Sequence, residues 1–336
     1  MDPVSQGLFG AVFSQSASNK KELKRAAIIG FGAGMLADID IFIRSSSDPL
    51  IAIEYHRQFT HSLAFIPIGG LVAAIIFRLI FRKKIKFRQI YLYSTIGYAT
   101  HCLLDACTTY GTELFWPFSD MKVALSSISV VDPVFTLVLA AFVIVGFKMK
   151  SVNISRLGIL FCICYLLFGY YQHGRAEKFL LNAAALRGHK VEKILVHPTL
   201  GNLVLWRGIY QSGSRFYVNA VRTGIFSGEK LYQGSSVNKF DLNSLGPEIE
   251  QSSVLIKDIH RFSHFTSGFL VIPPGKTDFI GDIRYSALPN SVQPLWGIKI
   301  DRKNPEQHVE LINTVGIDKQ KKSIFMDMIK GKELPK

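Results

Sequence analysis

Residues 62–81, SLAFIPIGGLVAAIIFRLIF, form a run of 20 residues with a single charge, Arg78. Coiled as an α-helix, this run is about 30 Å long, which matches the hydrocarbon thickness of a bilayer. A water-soluble fold has little use for such a segment, so it constrains the chain more than any other feature. Comparable apolar stretches lie at about 26–44, 89–108, 130–147 and 155–172, and a shorter one, VSQGLFGAVFSQSA, at 4–17. The last is marginal for a span and has neither the basic leader nor the cleavage site of a signal peptide. It is expected to be a retained, short or re-entrant helix. The expected fold is an α-helical polytopic membrane bundle of five or six helices over residues 1–172. From about Tyr171 the composition changes to that of a soluble domain, giving a second region over 173–336.

Charge sets an orientation. The net charge of +14 could indicate nucleic acid, but the cations cluster between apolar runs. The clusters are Lys20, Lys21, Lys24 and Arg25; Arg78, Arg82, Lys83, Lys84, Lys86 and Arg88; and Lys148, Lys150 and Arg156. Short cytoplasmic loops carry this excess. No nucleic-acid partner is therefore expected. With the basic loops inside, loops 45–60 and 109–129 lie outside, as does the C-terminal region. The expected location is the bacterial inner membrane, multi-pass, with an extracytoplasmic C-terminal domain.

That domain reads as mainly β. NLVLWRGIY (202–210), SRFYVNAVRTGIF (214–226), SGFLVI (267–272) and LWGIKI (295–300) are short aromatic and β-branched runs punctuated by Gly, Pro, Asn and Ser. One small antiparallel sheet and a charged, partly helical tail over 306–331 are expected. HRFSHF (260–265) reads as strand-like. Cys102, Cys107, Cys162 and Cys164 lie in apolar segments without metal-finger spacing and read as small apolar fillers.

Within these apolar runs lies a set of ionisable residues: Asp38 and Asp40, Glu54, His56 and His61, His101 and Asp105, and Asp132. Charge at membrane depth is costly, so such groups face a bundle interior or a wet cavity. The charge-derived orientation brings all of them to the outer face. His101 and Asp105, four apart, project from one helical face. Mixed histidine and carboxylate donors suit zinc or, alternatively, manganese. Asp38 and Asp40 diverge by about 200° on a regular helix, so one of them shares the ligand set unless the helix ends there. His56 and His61, five apart, suit a loop that enters a helix. Plainer readings stand beside these. Asp132 before Pro133 reads as a helix N-cap, Glu54 as a solvated interfacial acid, and His56 as an exposed loop residue.

At these residues the chain resembles a known family. MDPVSQGLFGA, GMLADIDI, DPLIAIEYHRQFTHSL, HCLLDACTTYGTELFWPFS and SISVVDPVFT are similar, in order and spacing, to the YdjM/YbcI-like inner-membrane family. Its members are described as membrane-bound metal-dependent hydrolases. The resemblance continues more loosely into LVLWRGIY and DIRYSALPNSVQPLWGI. It implies metal-site positions Asp38, Asp40, His56, His61, His101 and Asp105. Two departures are Gln6, where relatives carry a histidine, and Ala37, where they often carry proline. A looser similarity, limited to His101-x-x-x-Asp105, is to zinc-dependent phospholipase C.

The expected function is therefore a metal-dependent hydrolase acting at the outer membrane face on a lipid or phosphoester substrate. His61, His101, Asp105 and one or both of Asp38 and Asp40 would hold the metal. His56 would be a further ligand or a supporting group. Asp40 or Glu54 would serve as general base and Arg57 would steady an anionic substrate. The alternative is a non-enzymatic membrane protein whose metal is structural or whose polar cluster binds a partner.

Overall fold

The computed structural model describes every residue except 82–84, 248, 315, 317, 335 and 336, so Arg82, Lys83 and Lys84 of the second basic cluster lie outside it. The described chain divides into two compact units. The first comprises residues 1–42, 55–171 and 200–202, and the second 43–54, 172–199 and 203–336.

The first unit is helical: α1 (Pro3–Ser16), α2 (Leu23–Leu36), α4 (Ile66–Phe81), α5 (Phe87–Ala106), α6 (Pro133–Lys148) and the first part of α7 (Val152–Leu186). A short helix, α3 (Ile51–Glu54), belongs to the second unit. Helix α4 is patterned in reverse of a soluble helix. It buries Gly69, Gly70, Ala73 and Ala74 and exposes Ile68, Leu71, Val72, Ile75, Ile76 and Leu79. Small residues inside and large apolar ones outside are what helix packing in lipid selects, and an exposed apolar face of this size needs an apolar surrounding. The same economy of side chains lets α1, α2 and α5 approach closely. A Cβ added to Gly10 or to Gly97 would run into the Gly30 carbonyl, and one added to Gly30 into Ser14 and the Gly10 carbonyl.

Among the described residues, two helices are long and apolar enough to cross a membrane, Leu63–Phe81 and Val152–Leu186; Pro133–Lys148 is apolar but shorter. The expectation of five or six such helices is thus met only in part. Helix α2 stops at Leu36 and continues as a tighter 3-10 turn, Ala37–Phe42. Helix α5 has 20 residues but dilutes its apolar character with Arg88, Gln89, His101 and Asp105. Asp132 caps α6, its carboxylate accepting the Phe135 N–H at 3.1 Å.

The second unit holds two four-stranded antiparallel sheets where sequence suggested one. The first, β1 (Lys193–Pro198), β2 (Leu205–Ser212), β3 (Arg215–Thr223) and β4 (Glu229–Asn238), is a meander in chain order. The second is β5 (Leu270–Val271), β6 (Phe279–Asp282), β7 (Trp296–Lys299) and β8 (Glu310–Asn313). HRFSHF is helical, not strand-like: it ends α8 (Val254–Phe265), which Ser253 caps. Leu255, Ile256, Ile259 and Phe262 recur at helical spacing and enter a core with Ile280, Ile298 and Ile300. Leu50 and the partly buried Ile53 belong to that same core, which is why segment 43–54 groups with this unit. Helix α9 (Lys319–Lys330) ends the described fold.

Candidate metal centre

Three elements of the first unit bring four donors together. The 3-10 turn after α2 supplies Asp38, and a second 3-10 turn, Phe59–His61, supplies His61 just before α4. The last turns of α5 supply His101 and Asp105, both fully buried. One ligand atom from each of these four residues lies within 4.8 Å of all the others. His61 Nε2 is 3.5 Å from Asp38 Oδ1 and 3.5 Å from Asp105 Oδ2. His101 Nε2 is 3.4 Å from Asp38 Oδ1 and 3.8 Å from Asp105 Oδ2. The two Nε2 atoms are 2.9 Å apart. Ligands about 2.0–2.2 Å from a tetrahedral ion are separated by about 3.3–3.6 Å; the four nitrogen–oxygen separations lie close to that range, whereas the two Nε2 atoms stand closer than two ligands of one ion would, so the group could hold a metal ion with a small separation of the rings.

The tautomers sharpen this. His101 Nδ1 lies 2.6 Å from the Gly34 carbonyl, which only accepts, so Nδ1 carries a proton. His61 Nδ1 lies 3.0 Å from Thr60 Oγ1, whose own proton goes to Asp40 Oδ2 at 2.6 Å. His61 Nδ1 is therefore also the protonated nitrogen. Neutral rings in these tautomers aim two Nε2 lone pairs at each other, beside two carboxylate oxygens. That arrangement is repulsive until a proton or a cation lies between them. Holding each imidazole by its Nδ1–H is how metal-bound histidines are oriented elsewhere.

Asp105 joins the cluster to its surroundings. Its Oδ1 accepts from Gln6 Nε2 at 2.7 Å and contacts the Met1 amino group. Among the described residues, none donates a hydrogen bond to its Oδ2, which faces the cluster, although Arg57 Nε stands 3.0 Å away. Arg57 has a left-handed backbone, φ 66°, uncommon for a residue with a side chain. Its N–H donates to Asp40 Oδ2 at 3.2 Å, its Nη1 donates to Thr108 Oγ1 at 3.0 Å, and its guanidinium lies over the Tyr110 ring.

The remaining predicted residues fall as follows. Asp40 is buried and stands behind His61, accepting from Arg57 and Thr60, with His56 Nδ1 2.8 Å from its Oδ1. Asp38, Asp40 and His56 form a second group with donor atoms within 4.8 Å of one another. Glu54 is displaced from the expected role. It lies in the second unit, where Arg261 Nη2 donates to its carboxylate at 2.6 Å. Its carboxylate is thus engaged by a cation of that unit, and this partner 207 residues away leaves no trace in local sequence. Thr60, Thr108 and the Gly34 carbonyl were not anticipated. Only Thr60, beside His61, had a positional signal.

The family model described as YdjM inner membrane protein matches residues 1–176. Among curated proteins, Uncharacterized protein YfhP of Bacillus subtilis (strain 168) is 25% identical over 205 residues, 60% of this chain and 61% of that protein. Inner membrane protein YbcI of Escherichia coli (strain K12) is 33% identical over 100 residues, 29% of this chain and 57% of that protein. The chain thus spans about three fifths of the length of these relatives. No solved structure gives a significant match. The family match covers every residue of the four-donor cluster and more than half of the chain, and the chain therefore belongs to the YdjM inner membrane protein family.

Proposed function

We propose that the chain is a multi-pass inner-membrane hydrolase that depends on a divalent metal, zinc in the first instance and manganese as the alternative. The observation that carries this reading is the pair of imidazole Nε2 atoms, 2.9 Å apart, converging with Asp38 Oδ1 and Asp105 Oδ2. Asp38, His61, His101 and Asp105 would hold the ion. A divalent cation there supplies Lewis acidity, polarising a phosphoryl or acyl oxygen and acidifying water.

The chain's own residues divide the other tasks. Asp38, whose side chain alone among the four is partly exposed, marks the side from which a substrate reaches the centre. Arg57 offers a cationic fork for an anionic group on that substrate. We assign the proton-handling role to His56 in place of Asp40 and Glu54. Asp40 fixes His56 through Nδ1, so the half-exposed ring presents Nε2 as the base. The basic loops argue for a cytoplasmic inner side, a centre at the outer face and an extracytoplasmic C-terminal region. A centre at that level favours a substrate presented by the bilayer, such as a lipid-linked phosphoester, and no nucleic acid.

A second reading has its own support. Four protein donors close a tetrahedral shell, as structural zinc sites do. The experiment that separates the two readings is metal analysis of detergent-purified protein alongside a panel of phosphodiester and ester lipids. Hydrolysis that needs the metal and is lost in His56→Gln with metal retained supports the enzyme. Full metal occupancy without turnover on the panel favours the structural site.

A further inference from the structure

Within the second unit, β3, β4 and the residues that follow α7 enclose a cavity of about 200 Å³. A break in the sheet shapes it. Between the pairs Tyr217–Ser236 and Asn219–Gln233, β3 has one residue and β4 has two, Gly234 and Ser235. Bulges of this kind re-aim side chains and recur beside functional sites. Gly234 is needed at this one, because a Cβ there would run into the Asn290 and Val218 carbonyls. Arg187, His189, Asn219, Ser235 and Ser236 line the cavity, and among its described lining residues there is no carboxylate.

The lining offers donors without acceptors. Both Nη atoms of Arg187 donate to Asn219 Oδ1 at 3.3 Å, and Nη1 donates to the Tyr210 hydroxyl at 3.2 Å. These are neutral oxygens, and they leave two of the five N–H groups of the guanidinium. With Oδ1 taken by Arg187, the other end of the Asn219 amide is its NH2 group. Asn219 is 1% exposed, yet its Nδ2 finds no acceptor among the described residues, a cost that a bound acceptor would remove. Tyr210 is fully buried, and its hydroxyl, accepting from Arg187, has His189 Nδ1 at 2.8 Å to take its own proton. The neutral His189 ring then carries its proton on Nε2. Ser236 Oγ accepts from Arg215 Nη2 at 2.9 Å, which leaves its hydroxyl proton for another partner. A cation beside an amide, an imidazole N–H and a hydroxyl, with no acid among them, selects an anion of oxygen acceptors. Donors from four side chains suit a tetrahedral group with three free oxygens better than a planar carboxylate with two. We infer that this cavity binds a phosphoryl group, as free phosphate or as a small phosphomonoester, through Arg187, Asn219, His189 and Ser236. The volume is below the roughly 300 Å³ at which drug-sized pockets begin, so the ligand is small.

The four metal donors belong to the first unit, so the test must separate the two sites. The full chain in detergent is titrated calorimetrically with inorganic phosphate, with glycerol 3-phosphate, and with acetate and succinate as carboxylate probes. Arg187→Gln removes the cation. Ser235→Glu places a repelling charge at an exposed lining position and leaves the core untouched, so it decides the matter even if Arg187→Gln fails to fold. Each should weaken phosphate binding at least about tenfold, the worth of a hydrogen bond to a charged group. His101→Ala, at the metal donors, should leave that binding unchanged. Tighter binding of glycerol 3-phosphate identifies a monoester as the ligand and tighter binding of inorganic phosphate the free ion, and both support the site. Binding that survives Ser235→Glu but is lost in His101→Ala overturns the inference, since the anion is then held at the metal centre. It is also overturned if neither phosphate probe binds, or if a carboxylate binds more tightly through the same residues.

Discussion

Asp38 and Asp40 are two residues apart, yet the structure gives them different tasks, and Asp40→Asn tests that difference. Asp38 Oδ1 faces both Nε2 atoms of the cluster. Asp40 instead faces the rear of His61, with His61 Nδ1 3.3 Å from its Oδ2 and Thr60 bridging the two. The amide keeps an acceptor for Thr60 or Arg57 but loses the charge that orients and strengthens the imidazole. Changes to such supporting groups cost about 10- to 100-fold in metal affinity, or about 1.4–2.7 kcal/mol at 25 °C. Stoichiometry should stay the same, because no donor is removed. Asp38→Asn removes a donor and should cost more, with His101→Ala as the reference for ligand loss. The assay is competition for zinc against a chromophoric chelator in detergent, with metal content from mass spectrometry. Loss of a whole metal equivalent in Asp40→Asn would show that Asp40 is a ligand, most directly with Asp38 and His56. An unchanged affinity would refute the supporting role as well.

Three further outcomes follow from the same structure. Chelation should destabilise the helical unit, by about 4 kcal/mol if the protein was loaded at a thousand times Kd; a melting temperature indifferent to chelator refutes a metal among the four donors. Gly30→Ala should cost about 1–3 kcal/mol, because its Cβ meets Ser14 and the Gly10 carbonyl with no room to relax; unfolding in mixed detergent measures it, and wild-type stability contradicts the close approach. In the second unit, burial first and then the Arg207 guanidinium push the His197 imidazole down to about 4 from its ordinary 6.5, against the Arg284 and Pro198 carbonyls that favour the charged ring. The neutral ring is what the fold accepts, so its contribution is complete above pH 6.5 and about 3 kcal/mol is lost as pH falls to 4. The slope of stability over that window should flatten in His197→Gln, and an unaltered slope would assign it to other groups.

What could be read from sequence follows the range of the interactions involved. His101 and Asp105 were legible as a pair because helical periodicity alone puts them on one face, and an apolar segment makes a lone charge conspicuous. Asp132 was legible as a cap because Pro133 announces the helix start. The division of labour between Asp38 and Asp40 was not legible. It depends on α2 tightening into a 3-10 turn at Ala37, which has no sequence signature, and on Thr60 lying behind His61, for which adjacency in sequence is the one signal. Glu54 was placed near the centre by proximity in sequence, whereas Arg261 holds it in the other unit. The 260–265 stretch was misjudged as strand-like, although the spacing of Leu255, Ile256, Ile259 and Phe262 carried the helical period.

The segment between Asp40 and His56 carries a consequence for how the chain can be divided. Residues 43–54 leave one unit and return to it, and in between Leu50 enters the apolar core of the other, while Asp48 and Glu54 are clasped by Arg261. The family match ends at residue 176, but the folding unit does not end there. A fragment cut at that boundary would leave Leu50 and Ile53 without their apolar partners and two acids without their cation, on the loop that joins Asp38 and Asp40 to His56 and His61. Gene fusion or excision at residue 176 would therefore disturb the centre without altering any residue in it. The C-terminal half is better understood as a splint for that loop than as an appended cargo.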